Sequence, residues 1–215
     1  MQKIKTAKGR KASSTRWIER QLSDPYVIKA QKDGYRSRAA YKLLEMDEKH
    51  HFLKPGMSIV DLGAAPGGWC QVALQKGCKH VVAIDLLPVD DLPGMTFMQQ
   101  DFMDDEAPQK LKDALGGKAD VVLSDMAHNT TGHRNTDHLK IMGLVEAGYD
   151  FACEILKQDG AFLAKTFQGG AESELLARIK IDFKTVRHLK PPASRSDSSE
   201  RYLLATGFRK QVTEK

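Results

Sequence analysis

A glycine-rich loop that directly follows an apolar run is the first candidate for chemistry in this chain. The run Ser58-Ile59-Val60 leads into Asp61-Leu62-Gly63-Ala64-Ala65-Pro66-Gly67-Gly68-Trp69. Glycine lacks the Cβ that would collide with a closely bound ligand, and proline in a first helical turn is already set to helical φ. We therefore expect a strand, a loop and a helix opened by Pro66. Asp61 then lies at the edge where open α/β sheets bind ligands.

The spacing of the loop glycines distinguishes two classes of cofactor. A dinucleotide site requires G-x-G-x-x-G, whereas the glycines here are Gly63, Gly67 and Gly68. Pro66 also lacks one of the N–H groups that a diphosphate would use, and Asp61 would repel a polyanion. S-adenosylmethionine (SAM) carries a sulfonium and an ammonium and no phosphate. The loop therefore predicts SAM as the ligand, with Asp61 and Gly63 among its contacts.

Two further carboxylates support this prediction. Asp85 ends the second expected strand, where an acid can bind both ribose hydroxyls, and Asp101 follows the third, within reach of an adenine edge. For either residue alone, a helix cap or a solvated strand end is the simpler explanation. Acids at three successive strand ends beside one glycine loop favour the SAM interpretation.

These residues would be positioned by an alternation of strands and helices, which is typical of a doubly wound α/β sheet. No helix fits between the last two strands, because Pro191 to Glu200 is a polar loop, so the seventh strand is expected to return antiparallel. Asp159-Gly160 predicts a tight turn into the fifth strand. The predicted strands are Ser58–Asp61, His80–Asp85, Thr96–Gln100, Asp120–Ser124, Ala161–Thr166, Lys184–Leu189 and Arg201–Gly207. The predicted helices are Trp69–Lys76, Glu106–Leu115, Asp137–Leu156 and Glu172–Ile181.

A small appendage precedes this body. Residues 1–13 have the composition of a disordered segment, and helices are expected at Ser14–Leu22, from Asp24-Pro25 to about Lys32, and from Ser37 to about Lys49. The turn Lys54-Pro55-Gly56 ends it. The predicted organisation is a basic N-terminal extension over residues 1–54 and an α/β domain over residues 55–215.

The charge of the chain is concentrated at its start. Residues 1–42 hold twelve Lys and Arg against three acids, a balance of +9, within a net charge of +5 for 215 residues. A basic arm on a mildly acidic body is typical of nucleic-acid binding, because phosphate contacts release counterions. Trp17, Tyr26 and Tyr35 lie among these charges and are able to stack on bases. A solvated tail that only aids solubility is the alternative.

Compartment and assembly follow from weaker signals. The three cysteines are an odd number without close pairing, which suits a reducing compartment, and no apolar segment is long enough to span a membrane. The polar, basic start has no secretory signal, although a mitochondrial presequence is an alternative. We expect a cytoplasmic monomer that contacts nucleic acid and not membrane.

Several motifs in order resemble one known family. The chain combines the loop Asp61–Trp69 with Ser124-Asp125-Met126-Ala127, Lys165-Thr166-Phe167-Gln168 and Ser199-Glu200-Arg201-Tyr202. It also has Arg36-Ser37-Arg38-Ala39 with Lys42, and Asp85-Leu86-Leu87-Pro88. Together these resemble the FtsJ/RrmJ family of RNA ribose 2′-O-methyltransferases, and in particular its bacterial members that modify a uridine of 23S ribosomal RNA. The resemblance implies a SAM-dependent methyltransferase fold that acts on ribosomal RNA of the large subunit.

The resemblance also assigns roles to individual residues. Its Lys-Asp-Lys-Glu tetrad falls on Lys42, Asp125, Lys165 and Glu200. A ribose 2′-hydroxyl must lose its proton as it attacks, and a lysine accepts a proton only when neutral, a state that burial and a nearby cation favour. Lys165 would therefore act as the base or stabilise the alkoxide, although most lysines simply lie on the surface. The cofactor contacts implied are Gly67, Trp69, Asp85, Asp101 and Asp125, and the RNA contacts are Arg36, Arg38 and Tyr202, the last of which would otherwise be a core aromatic.

Other readings stay open. Related enzymes methylate transfer RNA or messenger RNA caps, and a non-catalytic ribosome-assembly factor with this fold is a second class, whereas the loop disfavours a nicotinamide dehydrogenase. His128 stands where many relatives have proline, and is a solvated residue or a base. His133, Asp137 and His138 lack the framework of a metal site, so no metal is predicted.

Overall fold

The structure, a computed structural model, describes residues 23–128, 134–167 and 173–209, without the side chains of residues 134 and 135. Strands and helices alternate through the body, and two helices precede it. The helices are α1 (Pro25–Asp33), α2 (Ala39–His50), α3 (Gly68–Gln75), α4 (Ala107–Leu115), α5 (Arg134–Ile155) and α6 (Ser173–Asp182). The strands are β1 (Ser58–Leu62), β2 (His80–Asp85), β3 (Met95–Gln99), β4 (Ala119–Ser124), β5 (Leu156–Phe167), β6 (Phe183–Leu189) and β7 (Glu200–Phe208).

The seven strands form one sheet in the order β3-β2-β1-β4-β5-β7-β6. β4 lies at its centre, β1 pairs in parallel with β2 and β4, and β7 is antiparallel to both β5 and β6. The predicted fold class, a mostly parallel seven-stranded sheet with an antiparallel last strand, is confirmed. The short polar connection between β6 and β7 is the reason, since a parallel crossover needs a longer link.

Two sequence expectations are wrong in detail. Helix α3 begins at Gly68 behind Gly67, which has a left-handed φ of 100°, and Pro66 lies before it in a cis peptide bond with Ala65. Pro66 therefore does not open the helix. β5 begins at Leu156, so Asp159-Gly160 lies within a strand whose pairing with β4 shifts register, not in a turn that precedes it. The predicted helix at Ser14–Leu22 and the predicted disordered segment 1–13 lie outside the described residues.

Each face of the sheet is covered by its own layer of helices. α4, α5 and α6 pack on one face, through residues such as Leu111, Ile141 and Ile179. α2 and α3 pack on the other, where Leu43 and Trp69 share a cluster with Tyr202 of β7. Because parallel strands are buried on both sides, this arrangement explains their nearly continuous apolar runs. The core therefore extends across the boundary predicted at residue 54.

The helices before the body are also fixed by polar contacts. Asp24 caps α1 by accepting from the backbone N–H of Tyr26, and its carboxylate forms ion pairs with Arg38 and Arg195. Glu45 of α2 accepts from the backbone N–H of Ala193 at 2.6 Å. These contacts hold α1, α2 and the β6–β7 connection together. None of the helices within the described ranges is long and apolar enough to cross a membrane.

Candidate active site

A cavity of about 370 Å³ opens at the carboxyl edge of the sheet. Residues at or just beyond the ends of β1 to β5 line it, because the carboxyl ends of parallel strands meet at one edge. The predicted residues that reach its wall are Gly63, Asp85, Asp101, Asp125 and Lys165. Apolar side chains, including Ile84, Phe102, Met103 and Leu144, complete the lining. The cavity thus combines carboxylates with an apolar wall.

Backbone hydrogen bonds hold two of these carboxylates in place. Asp85 accepts from the N–H groups of Ala65 and Leu87, both at 2.8 Å. Asp101 accepts from the N–H of Met103 at 2.9 Å. A carboxylate oxygen has more than one acceptor position, so both groups can also accept from ligand hydroxyls or amines. The structure therefore brings together the acids that the sequence placed at separate strand ends.

Gly63 is required for the close approach of two loops. Its φ is +80°, and a Cβ at this position would lie 2.8 Å from the backbone N and Cα of Met126. Any side chain would therefore push the glycine-rich loop away from the segment that follows β4. Asp125 begins that segment, and its N–H donates to the carbonyl of Leu62 at 3.0 Å.

Three predicted cofactor contacts do not reach the cavity wall. Asp61 is fully buried and turns towards α3, because side chains alternate along β1 and Leu62 takes the opposite face. Trp69 is also buried, and its indole N–H donates to the carbonyl of Ala39 at 2.8 Å. Gly67 lies against Arg36 and Val89. Direct contact of these residues with a cofactor stays a prediction.

Lys165 and Asp125 form a polar pair in the wall of the cavity. Lys165 Nζ donates to the main-chain oxygen of Asp125 at 2.5 Å and to its Oδ1 at 3.0 Å. The lysine side chain is only 9% exposed, and it directly follows the buried apolar run of β5 at residues 161–164. A buried lysine with two acceptors from one residue is held in a single orientation. Its amino group therefore faces the cavity from a fixed position.

A second ion pair joins α2 to β7. Lys42 Nζ lies 2.8 Å from Oε1 and 2.9 Å from Oε2 of Glu200, and both side chains are mostly buried. Ser194 donates to Glu200 Oε1 at 2.8 Å, and the Glu200 N–H donates to Ser198 Oγ at 3.2 Å. The carboxylate is thus supported by the β6–β7 connection. The structure brings all four tetrad residues to one side of the sheet.

Tyr202 connects the two pairs. Its hydroxyl donates to Asp125 Oδ1 at 3.0 Å and accepts from Lys42 Nζ at 3.3 Å. The register of β5 and β7 places Tyr202 opposite Lys165, so their side chains share a face. Burial and the Asp125 carboxylate raise the pKa of this phenol well above its ordinary value. The hydroxyl therefore stays protonated and is able to donate.

The position of Tyr202 also differs from the RNA contact that the resemblance implies. The residue has no exposed surface, and its ring packs against Trp69 with centroids 5.7 Å apart. No face of the ring is free for a nucleotide base in this arrangement. The alternative, an aromatic in the core, describes its placement, and the sequence did not indicate the hydrogen bonds of its hydroxyl.

The two arginines predicted to contact RNA both turn towards protein oxygens. Arg38 forms its ion pair with Asp24 and donates to the carbonyl of Ala193. Arg36 donates to carbonyls of two loops beside the cavity. Phosphate contact by either residue stays a prediction. His128, in contrast, is exposed and lies in the wall of the cavity.

Sequence reasoning missed the supporting residues of the site. Ser194 and Ser198 were not predicted as part of the site, yet both hydrogen bond to Glu200. Leu86 and Leu87 are exposed and line the cavity directly after Asp85. Their position directly after Asp85 indicates a binding site, because apolar side chains beside a carboxylate that contacts a ligand favour a flat apolar group in that ligand.

The burial of Asp61 leads to a prediction on stability. Burial, with smaller effects from Asp125 and Asp85, raises its pKa from 3.8 to about 7. The folded state then binds more protons than the unfolded state between pH 4 and 7, so the free energy of unfolding falls as pH rises through this window. Relative to Asp61→Asn, we expect the natural protein to lose up to about 1.4 kcal/mol per pH unit there. Urea unfolding of both proteins from pH 5 to 8 measures the two free energies of unfolding. The same pH dependence in both proteins would contradict the prediction.

Comparisons with known proteins agree with this geometry. The profile of the FtsJ-like methyltransferase family matches residues 35–208. The chain is 62% identical over 211 residues to "Ribosomal RNA large subunit methyltransferase E" of Bradyrhizobium sp. strain BTAi1, with 96% of this chain and 91% of the relative covered. The protein of the same name from Rhodopseudomonas palustris strain BisB5 is 60% identical, with 96% and 90% covered.

Solved structures lead to the same family. A protein described as a ribosomal RNA methyltransferase of Plasmodium falciparum superposes with a TM-score of 0.72 at 33% identity, over 81% of this chain and 98% of that one. The N-methyltransferase NodS of Bradyrhizobium japonicum WM9 has a TM-score of 0.53 at 9% identity, over 87% of this chain and 99% of that one, which shows the fold alone. The family match, the high identity and the assembled tetrad agree, and the chain belongs to the FtsJ-like methyltransferase family.

Proposed function

We propose that this methyltransferase transfers a methyl group from SAM to a ribose 2′-hydroxyl of ribosomal RNA in the large subunit. The observation that carries the proposal is one continuous arrangement at the sheet edge. A cavity with three carboxylates ends at the Lys165–Asp125 pair, and Tyr202 joins that pair to Lys42 and Glu200. A ligand in the cavity would therefore present its reactive end to Lys165, and Lys42 is linked to that lysine through Tyr202 and Asp125.

The residues of the cavity fit SAM. In the proposed complex Asp85 would accept from the ribose hydroxyls and Asp101 from the adenine amine, while Phe102 and Met103, which also line the cavity, would provide apolar surface for the ring. Asp125 supplies negative charge where the sulfonium and ammonium would lie. When bound, SAM supplies an electrophilic methyl group. A dinucleotide fits less well, because the same carboxylates would face its phosphates.

Lys165 is the residue proposed to act on the ribose hydroxyl. Two N–H groups are already used by Asp125. If the amine is neutral, its lone pair remains free to take the hydroxyl proton; if it is an ammonium, its third N–H remains free to stabilise the alkoxide. Asp125 orients the amine in both cases. Lys42 supplies a second positive charge nearby, and Glu200 positions it.

The RNA substrate is inferred from the relatives and from charge. The two relatives are named for methylation of large-subunit ribosomal RNA. The first 42 residues of this chain carry a balance of +9, which suits a polyanion. We propose the 23S RNA of the large subunit as the partner and a uridine ribose as the target. The protein is proposed to act as a cytoplasmic monomer.

The test maps ribose methylation in RNA from cells with and without the gene. We expect one 2′-O-methylated uridine of 23S RNA to be lost in its absence and restored by the natural protein. In parallel, the purified protein is given SAM with a labelled methyl group and either large subunits, naked 23S RNA or transfer RNA. Label in transfer RNA alone would overturn the proposed substrate, and label in none of them would overturn the proposed activity.

A further inference from the structure

The guanidinium of Arg36 bridges two loops that flank the cavity. Nη1 donates to the carbonyl of Pro66 at 3.3 Å and to that of Asp90 at 2.7 Å, and Nη2 donates to the carbonyl of Asp91 at 3.0 Å. Pro66 belongs to the glycine-rich loop. Asp90 and Asp91 belong to the β2–β3 connection, residues 86–94, which begins with Leu86 and Leu87 at the cavity wall. One side chain thus joins both loops.

Close packing accompanies these hydrogen bonds. A Cβ added to Gly67 would lie 2.7 Å from Arg36 Nη1 and 3.0 Å from Cγ1 of Val89, a residue of the β2–β3 connection. Gly67 itself has a φ of +100°, a conformation that other residues rarely adopt. The absence of a side chain at Gly67 therefore leaves the space that the guanidinium occupies between the loops.

The backbone around Arg36 is anchored to the helix that follows the glycine-rich loop. The Arg36 N–H donates to Oε1 of Gln71 at 2.8 Å, and Gln71 Nε2 donates to the carbonyl of Gly34 at 3.0 Å. The hydroxyl of Tyr35 donates to Gln75 Oε1 at 2.6 Å. Because Gln71 and Gln75 lie on α3, the guanidinium is held from a rigid element and not from a free arm.

We propose that Arg36 is a positioning residue for the methyl donor. It fixes the distance between the glycine-rich loop and the β2–β3 connection and so keeps the cavity in the shape that binds SAM. Arg36 does not line the cavity, so it acts through the two loops and not by touching the ligand. The proposal rests on SAM as the proposed cofactor. It assigns this arginine to the cofactor side of the site, although its motif suggested RNA.

The choice of arginine is physically specific. A guanidinium is planar and offers five N–H donors in a fixed fork, so it can serve three carbonyls on two loops at once. A lysine ammonium keeps the charge, but it is a compact group and would reach only one of the loops. Arg36→Lys therefore separates bridging from charge. An RNA phosphate contact would depend mainly on the charge, whereas a bridge depends on the fork.

The first test measures binding of SAM to the full-length chain by titration calorimetry. We expect Arg36→Ala to raise the Kd for SAM about tenfold, which corresponds to the loss of one or two well-formed hydrogen bonds. Arg36→Lys is expected to lose most of the same affinity. The Kd for 23S RNA and kcat at saturating SAM should stay within about twofold of the natural protein, a split that general destabilisation would not produce. Lys180→Ala, which removes an exposed charge on α6, is the control and should change none of these quantities.

A second readout needs no ligand. In the free protein, Arg36→Ala and Arg36→Lys are expected to speed hydrogen exchange at residues 63–68 and 86–92 while the amides of β4 and β5 keep their rates. If Arg36→Ala does not fold, the lysine variant carries both measurements.

Two outcomes would overturn the proposal. Unchanged affinity for SAM together with unchanged exchange would leave Arg36 without this role. Unchanged affinity for SAM with weaker binding of RNA by Arg36→Ala would make it an RNA contact. Failure of the natural protein to methylate RNA would count against the proposed function alone, since the affinity for SAM is measured separately.

Discussion

Replacement of Lys165 by alanine is expected to lower kcat for RNA methylation by about a thousandfold, within the range of proton-transfer groups. The amine of Lys165 is the basic group in the cavity wall that the structure holds in one orientation, through two hydrogen bonds to Asp125. Its loss removes the group that would take the hydroxyl proton or stabilise the alkoxide. The measurement is single-turnover transfer of a labelled methyl group to large-subunit RNA.

The affinities distinguish this effect from a binding defect. Calorimetry should show the Kd for SAM within a few fold of the natural value, and gel-shift titration should show the same for RNA. Lys157→Ala is a matched control, because Lys157 lies on the same strand but pairs with Asp120 outside the cavity. Full activity of Lys165→Ala would contradict the proposed mechanism. An equal loss of activity in Lys157→Ala would show that the effect comes from a disturbed strand and not from the missing amine.

The Lys42–Glu200 pair is expected to behave as one unit in a double-mutant cycle. Glu200→Gln leaves the mostly buried ammonium of Lys42 without its carboxylate, and we expect the free energy of unfolding to fall by about 2 kcal/mol. Lys42→Met likewise leaves the mostly buried carboxylate of Glu200 without its ammonium partner. Each single change is expected to lower kcat by about a hundredfold, and the double variant should be no slower than the slower single variant.

Urea unfolding and single-turnover kinetics of the four proteins measure the two couplings. The control cycle uses the exposed ion pair between Glu106, the residue directly before α4, and Lys110 in the first turn of that helix. Both side chains of this pair are exposed to solvent, so no measurable coupling energy is expected between them. Additive losses in the Lys42–Glu200 cycle would show that the two residues act separately, contrary to the contacts of Lys42 with both Glu200 and Tyr202.

Most of the fold was predictable from local patterns. The apolar runs that became β1, β2 and β4 differ from the predicted strands by no more than one residue at either end. The antiparallel direction of β7 followed from the missing helix before it. The errors fell where geometry depends on partners. Pro66 had the chemistry of a helix start, yet the loop takes a different path around the contacts of Gly67 with Arg36 and Val89.

The site was partly predictable for a similar reason. Asp85, Asp101, Asp125 and Lys165 converge because they end parallel strands, and strand ends can be read from the sequence. The orientation of other side chains could not be read in this way. Asp61 precedes the same loop, but its place in the alternation of β1 turns it towards Cys70, whose thiol donates to its Oδ2 at 3.1 Å.

The sequence by itself determined the fold class and the sheet edge at which the cavity opens, because these depend on periodicity and on the order of strands. The tetrad followed from the resemblance to a known family. Only the tertiary structure decided which side chains meet. Tyr202 joins Lys42 to Asp125, and Arg36 joins two loops, through contacts between residues at least 30 positions apart in the chain. Such contacts depend on the packing of α2 and α3 against the sheet. No local pattern in the chain encodes them, since the same residues would be equally acceptable on a solvated surface.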